Sequence, residues 1–141
     1  KGNETDSLTQ FVVENGLQNY ISMRGFQDNI PSLLPAFDLG LLPSHWEALA
    51  NNLREYMWAG LCPMVSDIPG SLELVAHKQT GLVHTTGDAS EIAATLKYAL
   101  TNSGQIAQWG LAAREFAEEH LCMSACAQRL ETEFESLIHR T

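Results

Sequence analysis

The sequence is short of positive charge. Only 8 lysines and arginines stand against 17 aspartates and glutamates in 141 residues, a formal net charge of −9. That deficit leaves no basic stripe to neutralise phosphates along a nucleic-acid strand, so nucleic acid is not an expected partner. It does not exclude a nucleotide ligand, because helix N-termini and backbone amides hold a diphosphate with little help from Lys or Arg. Long apolar runs are also missing: none approaches the roughly 20 residues needed to cross a bilayer, and no transmembrane segment is expected. Cysteine is scarce and odd in number. Cys62, Cys122 and Cys126 have no framework spacing and no secretory leader pattern opens the sequence, which predicts a reducing, cytoplasmic setting. Cys122 and Cys126 are four apart with His120 nearby, but a closed zinc site needs four ligands and none is spaced to complete it. No metal is expected, and the thiols are expected to be buried and inert. Repeats, low-complexity tracts and linkers are absent, so residues 1–141 read as a single domain around one core.

What is present is an alternation of short apolar runs and amphipathic stretches. From Glu4 to Asn15, Leu8, Phe11 and Val12 recur at helical spacing, and Gly16 stands at the stop position. Tyr20–Phe26 alternates apolar and polar residues and predicts a strand. Ile30–Phe37 is apolar but carries Pro31 and Pro35, which leaves room for one or two helical turns. Asp38–Pro43 and Cys62–Asp67 are apolar runs too short for helices and predict buried strands. Ile68-Pro69-Gly70-Ser71 is turn chemistry, followed by a short helix at Leu72–Ala76 and a strand at Thr80–Thr85. Asp88–Ser90 caps a helix whose apolar face is Ile92, Ala93, Leu96 and Leu100. Helices at Gly104–His120 and Ser124–Arg140 close the chain, with Phe116, Leu130, Phe134 and Leu137 as packing residues. Strands alternating with helices predict an α/β domain with a parallel sheet.

The rest is organised around Ser44–Gly60, where Glu47 and Glu55 are separated by seven residues and a helix begins between them. The unit is strand, loop, helix, strand, so in a parallel sheet the loop and the helix start lie at the carboxyl edge, where ligands bind. A carboxylate has two acceptor oxygens that can take a vicinal diol, and it can stabilise developing positive charge. Ser44 and His45 share the loop. Trp46 is placed to wall a pocket, Trp58 to join the core, Arg54 to pair with Glu55, and Asp67 to anchor its own turn.

The ordered set Gly25, Asp38, Pro43-Ser44, Glu47 to Glu55, Met57-Trp58-Ala59-Gly60-Leu61-Cys62-Pro63-Met64-Val65-Ser66-Asp67-Ile68-Pro69-Gly70, Glu73 and Thr80-Gly81-Leu82-Val83 resembles the C-terminal domain of the GT-B retaining glycosyltransferases of family 4. The resemblance covers almost the whole chain. It implies a Rossmann-like parallel sheet of about four strands flanked by helices, which binds a nucleotide-diphosphate sugar as donor, with no further cofactor. It implies that Glu47 lies beside the transferred sugar and the reaction centre and that Glu55 accepts from the ribose hydroxyls. The backbone from Ala48 through Leu49, Ala50, Asn51 and Asn52 would cradle the diphosphate, and Phe26 would neighbour the base. Such enzymes usually carry glycine where Ala48 stands. They also have two earlier strands, a basic loop and an acceptor domain, none of which is matched here. The chain is therefore expected to be a truncated donor-binding part of a transferase for a hexose-type sugar, inactive alone, or else a non-catalytic interaction module with the same fold. An open strand edge would then favour a homo-oligomer or a partner chain.

Overall fold

The computed structural model describes residues 4–48 and 50–138, in two compact units that divide after Ile30. In the first, α1 (Thr5–Glu14) buries Val12. It ends where the amides of Gly16 and Leu17 return to the carbonyls of Val13 and Val12. Tyr20–Phe26 is not a strand. It has the alternating side chains of one, but no neighbouring strand among the described residues offers it a ladder, and alternation without a partner does not hold a strand.

α2 (Ile30–Leu33), all but its first residue in the second unit, runs into a 3-10 turn at Leu34–Ala36, the two short turns that Pro31 and Pro35 permit. A parallel sheet follows, in the order β1 (Leu39–Leu42), β2 (Cys62–Ser66), β3 (Leu82–His84). Leu39 stands opposite Cys62, and Met64 opposite Leu82. The sheet thus has three strands among the described residues rather than about four. β1 connects to β2 through α3 (Asn51–Trp58), and β2 to β3 through α4 (Pro69–Leu72). α5 (Ala89–Thr101), α6 (Ser103–His120) and α7 (Met123–Ile138) complete the chain. The short helix after β2 begins three residues earlier than Leu72, because Pro69 supplies a preset first helical position.

Strand residues alternate between two apolar layers, as period-2 geometry requires. Leu42, Val65 and Val83 pack with Leu53 and Met57 of α3, Leu74 and Val75 after α4, and Ala113 and Ala117 of α6. Cys62, Met64 and Leu82, with Leu39 and Leu41, pack against Ile92, Leu96 and Ala99 of α5 and Ile106 and Trp109 of α6. β2, buried along its whole length, lies between the layers. Ala93 and Leu100 are exposed, and Ala99 takes the core position of α5 instead. Leu130, Phe134 and Leu137 are also exposed, because α7 buries none of its residues. Only Cys62 is a buried thiol, and burial pushes it up to about 12. Cys126 is exposed, while Cys122 is half-buried and is held below its ordinary range by the Ser124 hydroxyl and the Ala125 amide. No helix among the described residues is long and apolar enough to cross a membrane.

Candidate functional site

Because the sheet is parallel, the loops 43–50, 67–68 and 85–88, which follow β1, β2 and β3, open at the same carboxyl edge. The first carries Glu47 and is pinned by packing. A side-chain carbon on Gly70 would lie 2.5 Å from the Ala48 carbonyl oxygen and 2.7 Å from that of Glu47, so only glycine lets the start of α4 approach this backbone. On the other side, His45 rests against Gly87, whose absent side chain would lie 3.2 Å from His45 Cε1. Ser44 Oγ donates to Glu47 Oε1 at 3.0 Å, which orients a carboxylate that is itself only half-buried. Trp46, between them, is 79% exposed.

α3 starts from this pinned loop without a cap. Its N-cap is Ala50, whose backbone (φ −77°, ψ 117°) has the extended shape an N-cap wants but whose side chain accepts no hydrogen bond. The first amides of the helix are donors without an intrahelical acceptor. Asn52 Oδ1 satisfies the amide of Leu53 at 3.1 Å. Those of Asn51 and Asn52 accordingly face the edge at the positive end of the helix dipole. Leu53 and Met57, fully buried, fix the helix on the sheet and leave Glu55 exposed. Glu55 has no hydrogen-bond or ion-pair partner among the described residues. Arg54 does not pair with it, since adjacent helical positions point apart.

Glu55 also lines a cavity of about 350 Å³ with Pro31, Leu34, Pro35, Trp58, Ala59 and Arg114. Trp58 is 39% exposed there instead of filling the core. Sequence reasoning missed this cavity, although Glu55, Trp58 and Ala59 stand at i, i+3 and i+4, a shared helix face. Phe26 belongs to the first unit and is 89% exposed. Leu49 lies outside the described residues.

The other two loops are tied to each other. Asp67 does not close its own turn: Oδ1 accepts from the amide and the hydroxyl of Thr86, at 2.8 and 2.6 Å. Those two bonds hold its carboxyl below the ordinary aspartate range. Glu91 Oε2 accepts from the Thr85 amide at 2.9 Å and is lowered by the same residue. Asp88 caps α5, accepting from the amides of Ser90 and Glu91. The three edge loops contain no lysine or arginine.

The sequence profile of the glycosyl transferases group 1 matches residues 1–116. The chain belongs to that family. It is 28% identical over 117 residues to 2-deoxystreptamine glucosyltransferase of Streptomyces kanamyceticus, covering 82% of this chain and 30% of that one. HepE of Anabaena, solved in complex with UDP, superimposes with a TM-score of 0.86 at 25% identity over 96% of this chain and 38% of that one. The C-terminal domain of a glycosyl transferase group 1 protein from Francisella tularensis matches with a TM-score of 0.73 at 18% identity, over 84% and 62% of the two chains. The fold is that of the GT-B glycosyltransferases and is consistent with their C-terminal domain. The chain spans about a third of the length of the curated relatives it matches.

Proposed function

We propose that this chain is the donor-binding part of a retaining glycosyltransferase and takes a nucleotide-diphosphate sugar of the hexose type. The observation that carries the reading is the uncapped start of α3 between Glu47 and Glu55. In it, the amides of Asn51 and Asn52, with the backbone of Ala48 and Ala50, hold the diphosphate. Glu55, exposed and unpaired, accepts from the ribose diol. Glu47, oriented by Ser44, faces the anomeric centre, where a fixed carboxylate stabilises oxocarbenium-like charge. His45 adds a donor beside it. UDP in the HepE structure and the glucosyltransferase among the relatives support the nucleotide and sugar class. Three free thiols support a reducing, cytoplasmic setting.

Half a helix-dipole charge does not balance a diphosphate, and the edge loops supply no cation. Turnover therefore needs cationic groups and an acceptor surface from outside these residues, and the isolated chain binds donor without transferring it. The same lack of cations supports a second reading, a non-catalytic module that keeps the fold. Titration of UDP- and GDP-sugars by calorimetry separates the two: saturable binding lost in Glu55→Ala upholds the first, and no binding to any nucleotide sugar rejects it. The outer edge of β1 has no strand partner among the described residues, so we also propose self-association through that edge. Light scattering that gives a monodisperse 15.5 kDa species would count against it.

A further inference from the structure

The same sheet edge holds polar groups that the donor reading does not use. Among the described residues, three buried side-chain atoms have no hydrogen-bond partner: Ser66 Oγ, Ser71 Oγ and His84 Nε2. All three stand where β2, β3 and α4 meet the site loops. Leaving such an atom unsatisfied costs about 1–3 kcal/mol, and native proteins keep few of them. Ser66 and His84 are register partners on adjacent strands and are 0% and 1% exposed.

The tautomer of His84 follows from its neighbour. Nδ1 lies 3.0 Å from the Thr85 carbonyl oxygen, which can only accept. In the neutral ring Nδ1 therefore carries the proton, which leaves Nε2 as an acceptor turned into the interior. One water donating to Nε2 and accepting from the Ser66 hydroxyl satisfies both buried atoms. The segment that His84 holds is the one that Glu91 and Asp67 also hold, through the amides of Thr85 and Thr86. It ends at Gly87, in the left-handed region at φ 77°, and His45 of the site loop lies on it.

We propose that His84 is a positioning residue for the site: its Nδ1–H fixes the Thr85 carbonyl, and its Nε2 shares an internal water with Ser66. Together they hold Thr85–Gly87 as the backing for His45 and the Glu47 loop. The geometry stands on its own; the consequence for ligand binding rests on the donor-site reading.

NMR of the whole chain tests it. The long-range imidazole spectrum of the wild type is expected to show His84 as the neutral Nδ1–H tautomer. In His84→Phe, which keeps the bulk and loses both nitrogens, the Thr86 amide and the His45 ring signals should shift. Exchange of the Thr85–Gly87 amides should quicken about 10-fold, with the amides of Met64 and Val65 unchanged. His84→Asn, whose amide nitrogen replaces the Nδ1 donor, should restore the wild-type loop signals. Affinity for UDP-glucose should fall several-fold in the phenylalanine variant and recover in the asparagine one. An Nε2–H tautomer, or a phenylalanine variant with wild-type Thr86 and His45 signals, overturns the proposal. Should that variant not fold, the wild-type tautomer decides alone. A wild type that binds no UDP-glucose sinks the donor reading, and the loop signals still judge His84.

Discussion

Two helices, α3 after β1 and α5 after β3, start at the same edge of the sheet with opposite chemistry at their first turns. α5 starts at Asp88, whose carboxylate accepts from the amides of Ser90 and Glu91, with Glu91 adding acidic charge to the first turn. Two of its first-turn donors are satisfied by the cap, and acidic charge meets the positive end of its dipole. α3 starts at Ala50, with no side-chain cap and no acidic residue in its first turn. A capping side chain at such a position is typically worth about 1 kcal/mol, and α3 forgoes it while Leu53 and Met57, both fully buried, keep the helix in place. The contrast separates a helix start whose first-turn amides are capped from one whose first-turn amides are left open, as the proposed diphosphate site requires.

The largest effect expected from breaking this contrast is at Glu55. Removing its carboxylate in Glu55→Ala should weaken binding of a nucleotide sugar about 10- to 100-fold, the scale of one or two hydrogen bonds to a charged group. Because Glu55 is exposed and unpaired, the thermal midpoint should hardly move; calorimetric titration beside thermal melts checks both halves. The reverse holds at the other helix. Asp88→Ala should cost about 1 kcal/mol of stability, seen as a lower denaturant midpoint, with donor affinity unchanged. A variant of Asp88 that lost affinity while keeping its midpoint would break the distinction between the two starts.

Ala50→Ser sharpens it from the other side. The extended backbone of Ala50 already suits a cap, so the new hydroxyl should accept from the first-turn amides and add a few tenths of a kcal/mol to about 1 kcal/mol of stability. The same hydrogen bond competes with the diphosphate, and affinity for UDP-glucose should fall about threefold. Denaturation and titration of the one variant should move in opposite directions.

How much of this was legible in the sequence differs between the two regions as well. The strands at Leu39–Leu42 and Cys62–Ser66 and the helix that begins between the glutamates are readable because their apolar residues have only one way to be buried. Asp88 was readable because capping is local chemistry. Tyr20–Phe26 was not, since a strand depends on a neighbour that its own residues do not name. Asp67 has the local pattern of a turn anchor, but its partner Thr86 is 19 residues away, and a side-chain bond across two loops leaves no mark on local pattern. The exposed stripe of α7 and the cavity beside Trp58 were missed for a related reason: helical spacing says which residues share a face, not what covers it.

The smallest effect concerns the bonds that keep the two rear loops together. Asp67 and Glu91 both titrate below the ordinary carboxylate range, through their bonds to Thr86 and Thr85. For groups lowered in the folded state, the stabilisation is complete above the unfolded value and is lost as pH falls through the folded one. The Thr85 and Thr86 amide signals should therefore stay unchanged as pH is lowered to about 4, the usual carboxylate value, and should move only below it. Both carboxylates are solvent-facing, so the change in overall stability should be slight and weakened further by salt. Asp67→Asn should abolish the Thr86 part of the transition and leave the Thr85 part, whereas the unfilled start of α3, which has no titrating cap, should contribute none. A transition at the Asn51 or Asn52 amides in the same pH window would mean that a carboxylate does cap α3, and the contrast between the two helix starts would fail.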